Sequence, residues 1–332
     1  MPRQVRHTEG PLGYSHNSST SCPIIGEAPY NSQMSSFLAP TAPDRKRRRL
    51  LGFASAAAGL GALGLSSCAT VTKPKPVLGL VLGAGAARGF AHIGVIKALE
   101  AQGISPNLVV GSSAGSVIAA LYASGLSGND LNRIALNWDE AAIADWGLPF
   151  AGRFGGLIKG DALQAMINRE VKNRLIEQMR MPLGIVATDL QSGKGVLFER
   201  GDTGMAVRAS CSIPGIFQPT TIQGREYVDG GLVAPVPVQY AKQMGATVVL
   251  AVSISTEPGQ QNASGTLGVL QQTIAIMQQR INGYELQAAD IAITPKLQQM
   301  GGAEFRSRSA AILAGEIATQ ERMAEIKAAL GS

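Results

Sequence analysis

Two short apolar runs, residues 77–82 and 108–110, each pass straight into a glycine-rich turn and then into helix-forming sequence. Residues 77–82 carry no polar side chain, the pattern of a strand buried on both faces of a parallel sheet. The turn after them opens a helix with Ile93, Ile96, Ala98 and Leu99 among its apolar positions, ending near Gly103. The second run follows at once, so the chain reads strand, loop, helix, strand. Such a unit closes a right-handed parallel crossover and commits the chain to an α/β architecture. Apolar runs at 183–188, 196–198, 248–254 and 291–293 supply further strands, while 131–138, 162–171 and 310–330 read as helices. Leu267, Leu270, Ile274, Met277, Ile281 and Tyr284 recur at alternating spacings of three and four. That periodicity predicts a long amphipathic helix packed on the sheet, with a partner-binding coil as the alternative.

The second turn reads Gly111-Ser112-Ser113-Ala114-Gly115, with the helix-forming stretch 116–122 behind it. A strand, G-x-S-x-G and a helix in that order make a nucleophile elbow. The serine sits on a sharp turn, and glycine on both flanks lets neighbouring backbone close in. Ser113 alone has glycine two positions away on each side. A serine-rich helix N-cap gives the same letters without chemistry.

The first turn, Gly83-Ala84-Gly85-Ala86-Ala87-Arg88-Gly89, has arginine where a dinucleotide fingerprint needs its third glycine, and no acid ends the next strand. No nucleotide is expected there. Consecutive backbone N–H groups at a helix N-terminus do favour negative charge, so beside a nucleophilic serine the loop reads as an oxyanion hole. Tight strand-to-helix packing explains Gly83, Gly85 and Gly89 equally well, and Arg88 reads as a brace for the loop or a structural ion pair.

A serine nucleophile needs a base. Of three histidines, His7 and His16 lie far upstream, and His92 sits one turn into the helix after the glycine loop, a place for a core or supporting role. A carboxylate is the alternative, and Asp229 in Asp229-Gly230-Gly231, after the short strand 226–228, is the candidate. Glycines after the aspartate leave room for close approach, although Asp-Gly is also a common turn.

The net charge of +6 suggests nucleic acid until it is located. Residues 1–67 hold seven bases and three acids, leaving 22 bases and 20 acids for the rest. A nearly neutral body offers no phosphate-tracking stripe, so no nucleic acid is expected. Residues 1–43 are rich in Ser, Pro, Asn and Gly and read as disordered or as a mis-assigned start, with Met34 a credible initiator. Residues 44–67 join a basic cluster to an apolar run of 16 residues, 50–65, too short for a span and suited to a signal peptide. Leu65-Ser66-Ser67-Cys68 resembles the lipobox of bacterial lipoproteins, which implies a lipidated Cys68, and 47–51 resembles a twin-arginine export signal. Residues 68–76, with Lys73-Pro74-Lys75-Pro76, then form a lipidated tether to a body at 77–332, placing the protein in the cell envelope as a membrane-anchored lipoprotein facing the periplasm. With Cys22 in the removed leader and Cys68 acylated, Cys211 stands alone. The glycine-rich stretch 147–160, with Phe150, Phe154 and Leu157, reads as a long connection, or alternatively as a lid or lipid-contacting loop.

From 77 to 294 the chain resembles the bacterial patatin-like phospholipases, serine acyl hydrolases with a Ser-Asp dyad. Four blocks in order carry the likeness: 83–89, 111–115, Ala209-Ser210-Cys211-Ser212-Ile213-Pro214-Gly215-Ile216-Phe217, and 229–231. The first block reads Gly-Ala-Gly where many relatives have three glycines. The resemblance implies a three-layer α/β/α sandwich with a mainly parallel sheet, a Ser113–Asp229 dyad, an oxyanion loop at 83–89 and a pocket wall at Pro214-Gly215. It also implies a lipid or other ester substrate, with no metal and no cofactor. The competing reading is a membrane-tethered binding or scaffolding module that keeps the fold without catalysis.

Overall fold

The structure is a computed structural model that describes residues 75–138, 158–255, 264–297 and 307–331. The described residues all belong to one compact unit, Thr70–Ser332. The expected leader, signal peptide and Cys68 lie outside the described residues, as do Phe150, Phe154 and Leu157.

Among the described residues eight strands form one sheet: β1 (Leu78–Leu82), β2 (Leu108–Ser112), β3 (Leu183–Asp189), β4 (Gly195–Phe198), β5 (Thr220–Ile222), β6 (Arg225–Val228), β7 (Val248–Val252) and β8 (Ile291–Ile293). Their order is β5-β6-β3-β2-β1-β7-β8, with β4 also on β3. The pairs β1–β2, β2–β3, β1–β7 and β7–β8 are parallel, whereas β3–β6, β5–β6 and β3–β4 are antiparallel. β2 and β7 flank β1 on opposite sides, so the sequential connections diverge there. A crevice opens at such a switch point, beyond the carboxyl ends of the strands.

Helices cover both faces. They are α1 (Phe90–Ala101), α2 (Ala114–Ala123), α3 (Gly128–Asn137), α4 (Asp161–Glu170), α5 (Thr203–Ser210), α6 (Val238–Gln243), α7 (Gly265–Gln287), α8 (Arg308–Glu321) and α9 (Met323–Leu330). Strand alternation assigns each face its own core. Leu80 and Leu82 of β1 and Leu250 and Val252 of β7 pack with Phe90, Ile93, Ile118 and Leu121 from the helices on one side. Val81, Val110, Val249 and Ala251 point the other way, toward Val238 and Ala241. The result is the expected three-layer α/β/α sandwich with a mainly parallel sheet.

α1 and α8 cross closely. A Cβ on Gly94 would strike the carbonyl of Ile312, and one on Gly315 would strike that of Ala91. Larger side chains at either point would force the helices apart.

Three expectations change. The closing helix at 310–330 is two helices, broken at Arg322 (φ −102°, ψ 2°), a bend that lets Met323 and Ile326 both reach the core. β5 is an additional strand. The seam expected to pack α7 on the sheet does so only in part, because Leu267, Ile274 and Ile281 are half-buried whereas Leu270, Met277 and Tyr284 are exposed, and the fully buried positions are Ala275 and Asn282.

Candidate active site

The nucleophile elbow is set by the end of β2. Ser113 has φ 50° and ψ −124° between that strand and the first turn of α2. For a residue with a Cβ this is a strained conformation, costing about 1–3 kcal/mol, and the surroundings must hold it. Ser210 at the end of α5 does so: its hydroxyl accepts from the Ser113 N–H at 2.8 Å and donates to the Val186 carbonyl at 2.6 Å. The Ser116 hydroxyl and N–H donate to the Ser113 carbonyl at 2.6 and 2.8 Å. Both flanking glycines are required by contact. A Cβ on Gly111 would lie 2.5 Å from the Gly115 oxygen, and one on Gly115 would strike the Leu82 carbonyl.

Asp229 arrives from the antiparallel part of the sheet. It follows β6, and its side chain caps the 3-10 turn Gly230–Leu232, Oδ1 accepting from the Gly231 N–H at 2.7 Å. Its own N–H donates to the Ser212 carbonyl at 2.9 Å, and the Thr188 hydroxyl donates to its carbonyl at 2.8 Å. Gly230 packs so tightly that a Cβ would meet the Val186 carbonyl and, at 2.7 Å, Ser112 Oγ. The second carboxylate oxygen is thereby aimed at the elbow, where Ser113 Oγ donates to Asp229 Oδ2 at 2.6 Å. The aspartate is therefore more than an Asp-Gly turn.

Both residues are 5% exposed. Burial pushes the Asp229 carboxyl up to about 6, and the hydrogen bonds from Ser113 and Gly231 only partly oppose it. An aspartate with that affinity for a proton is a better base than a solvated one and is still ionised near neutrality.

The glycine loop follows β1, and its expected role narrows. The Gly83 N–H donates to the Val252 carbonyl at 3.0 Å, Ala84 to Pro235 at 2.7 Å and Arg88 to Gly85 at 3.2 Å. Those three donors are engaged in holding the loop, which corrects the expectation that the whole of 83–89 offers its N–H groups. Gly85, Ala86 and Ala87 stand outside those pairings, and Ala86 is held at φ 50°. Gly89 instead serves packing, since a Cβ there would lie 3.0 Å from that of Ala114. Arg88 is buried.

His92 is fully buried, and its Nε2 lies 2.9 Å from the Gly83 carbonyl. A carbonyl only accepts, so Nε2 carries the proton and donates. Burial lowers the imidazole to about 4. It is thus neutral near pH 7 and braces the loop instead of contacting Ser113.

Two contributors escaped the sequence reading. Ser210 lies in the block 209–217, which carries the family resemblance without a role of its own for Ser210, and its bond to Ser113 spans 97 positions. Gln278 of α7 is the other: a Cβ on Gly231 would lie 2.7 Å from Gln278 Nε2, 2.9 Å from Asp229 Oδ1 and 3.1 Å from Ala84 Cβ. The carboxamide thus borders the dyad and the loop together. Among the described residues no three His, Cys, Asp or Glu side chains gather as a metal site.

A family model described as patatin-like phospholipase matches residues 80–242, a span that contains Ser113, Asp229 and the loop. An uncharacterized NTE family protein of Mycobacterium tuberculosis is 35% identical over 180 residues, covering 54% of this chain and 49% of that protein. Human patatin-like phospholipase domain-containing protein 6 is 33% identical over 184 residues, covering 54% of this chain and 13% of that protein. The chain thus spans about half the length of the mycobacterial relative. Among solved structures, VipD from Legionella pneumophila superposes with a TM-score of 0.49 at 14% identity, covering 75% of this chain and 66% of VipD.

Proposed function

We propose, for a chain whose residues 80–242 form a patatin-like phospholipase domain, that the protein is a lipid acyl hydrolase working through Ser113 and Asp229. The observation that carries this reading is the 2.6 Å hydrogen bond from Ser113 Oγ to Asp229 Oδ2. Asp229 takes the serine proton as Oγ attacks the ester carbonyl carbon. The carbonyl oxygen becomes an oxyanion, facing the N–H groups of Gly85, Ala86 and Ala87. Collapse breaks the ester C–O bond, and Asp229 returns its proton to the departing alcohol. Water then attacks the acyl-serine with the same aspartate as base, and the fatty acid leaves as Ser113 recovers its proton.

Ser113→Ala and Asp229→Asn are each expected to abolish hydrolysis of a short-chain ester, and a fluorophosphonate probe is expected to label the wild type but not Ser113→Ala. Wild-type turnover by Ser113→Ala would refute the assignment. Absence of both labelling and hydrolysis in the wild type would favour the binding or scaffolding reading.

The site is also proposed to work at the cell envelope, with Cys68 acylated as the first residue of the mature protein and the body facing the periplasm. The order of basic cluster, apolar run and Leu65-Ser66-Ser67-Cys68 supports this. Mass spectrometry of the mature N-terminus should find acylated Cys68, whereas an intact leader in cells would defeat the proposal.

A further inference from the structure

α7 faces the protein with a mixed side, where Leu267, Ile274, Ile281 and Leu286 are half-buried beside polar residues, and it also carries apolar side chains outward. On the inner side Asn282 donates to Ser255 Oγ at 2.5 Å, and Glu285 accepts from the Val238 and Gln239 N–H groups at 3.1 and 3.3 Å. Gln278 borders Gly231 on the same side. The outer side carries Val269, Leu270, Ile276, Met277 and Tyr284, exposed by 55, 39, 48, 51 and 77%. At 100° per residue these five fall within about 120° of the helix circumference, one continuous stripe. They are five of the nine exposed large hydrophobic residues among those described.

Charge distinguishes this stripe from the other exposed apolar pair on a helix. Leu313 and Ile317 of α8 share their surface with Glu316, which is ion-paired to Lys97. The exposed side of α7 carries no acid, and its one charge is Arg280, in the middle of the stripe. A cation set among apolar side chains matches the boundary where acyl chains meet anionic headgroups. A second copy fits less well. A two-fold pairing of the stripes would bring Arg280 toward its own counterpart, with no acid on the surface to neutralise either.

The helix that carries the stripe also reaches the turn at Gly215 and, on its inner side, the turn at Gly231 beside Asp229. Leu267 Cδ1 and Leu270 Cδ2 lie 3.0 and 3.2 Å from the Cβ position of Gly215, and Gln278 reaches Gly231 further along the helix. α7 therefore links the Gly215 turn to the Gly231 turn, whose N–H donates to Asp229.

We infer that the outer face of α7 is a docking surface for an anionic lipid bilayer, which brings the mouth of the site against the membrane. The choice of a lipid occupant rests on the acyl-hydrolase reading, while the exposed apolar stripe does not.

The test uses the full-length chain carrying Ser113→Ala, so that binding is read without turnover. Tyr284→Trp and, as control, Leu313→Trp are each mixed with phosphatidylcholine–phosphatidylglycerol vesicles bearing brominated acyl chains. The indole introduced at 284 is expected to be quenched about two-fold or more beyond that at 313, since only the stripe enters the acyl region. Adding Arg280→Glu should reduce the quenching at 284. Equal quenching at both positions overturns the inference. So does a concentration-dependent dimer that forms without vesicles and is abolished by Tyr284→Glu, which would assign the face to a second copy. Wild-type hydrolysis of a dissolved ester is measured separately. Hydrolysis without quenching at 284 defeats the docking surface alone, and quenching without hydrolysis defeats the acyl-hydrolase reading alone.

Discussion

Replacing Asp229 by asparagine should remove catalysis and yet stabilise the protein above pH 6. The carboxyl titrates at an ordinary 3.8 in the unfolded chain and at about 6 in the fold, because burial opposes its charge. At about 1.4 kcal/mol per pH unit, that gap amounts to roughly 3 kcal/mol. Between these two values the folded protein binds the proton more tightly than the unfolded chain. The stabilisation is therefore complete below pH 3.8 and lost as the pH rises through about 6. His92 acts in the opposite sense: lowered from 6.5 to about 4, it contributes stability that is lost as the pH falls through that range. The wild-type stability curve should consequently be nearly level where the two overlap, hiding both. Asp229→Asn keeps His92, so subtracting one curve from the other isolates the aspartate. In urea unfolding between pH 4 and pH 8, the stability of Asp229→Asn relative to wild type should grow by up to about 3 kcal/mol, whatever fixed offset the amide brings. A difference that stays constant, or that shrinks toward pH 8, would refute the picture of a carboxylate ionised against its burial.

Hydrolysis of a dissolved ester should fall about ten-fold per unit below a pH near 6, the value at which Asp229 protonates, and level off above it; an acid limb near 4 would mean that the base is solvated. Ser210→Ala strands the Ser113 N–H and the Val186 carbonyl, so unfolding measurements should show a loss of about 1–3 kcal/mol, with kcat falling as the elbow loosens. Gly315→Ala drives a methyl into the Ala91 carbonyl and should lower stability by about 1–3 kcal/mol, whereas Gly283→Ala, which has open space around it, should not.

The sequence conveyed the sheet where its signal was local. Residues 77–82 and 108–110 could only be strands buried on both faces, and the glycines beside Ser113 imply the close approach of Leu82 and Gly115 that the structure contains. Hydropathy gave the period of α7 but not which side faces the body. That depends on Asn282 finding Ser255 and Glu285 finding the N–H groups of α6, partners that no spacing reveals. Ser210 was hidden for the same reason, since a hydroxyl becomes informative only once Val186 and Ser113 are seen on either side of it. Within the glycine loop the letters could not separate donors already engaged, those of Gly83, Ala84 and Arg88, from those left over.

The crossing of α1 and α8 bears on the order in which the chain is made. α1 carries His92, which holds the Gly83 carbonyl, and α8 seats against α1 through Gly94 and Gly315. Synthesis runs from the N-terminus, so Ser113 and Asp229 leave the ribosome well before the helix that backs the loop beside them. A nascent polypeptide carries both reactive side chains while the support beneath its glycine loop is still untranslated. Assembly of the domain thus runs in order, and the support of the glycine loop is complete only when residues 308–321 have been delivered.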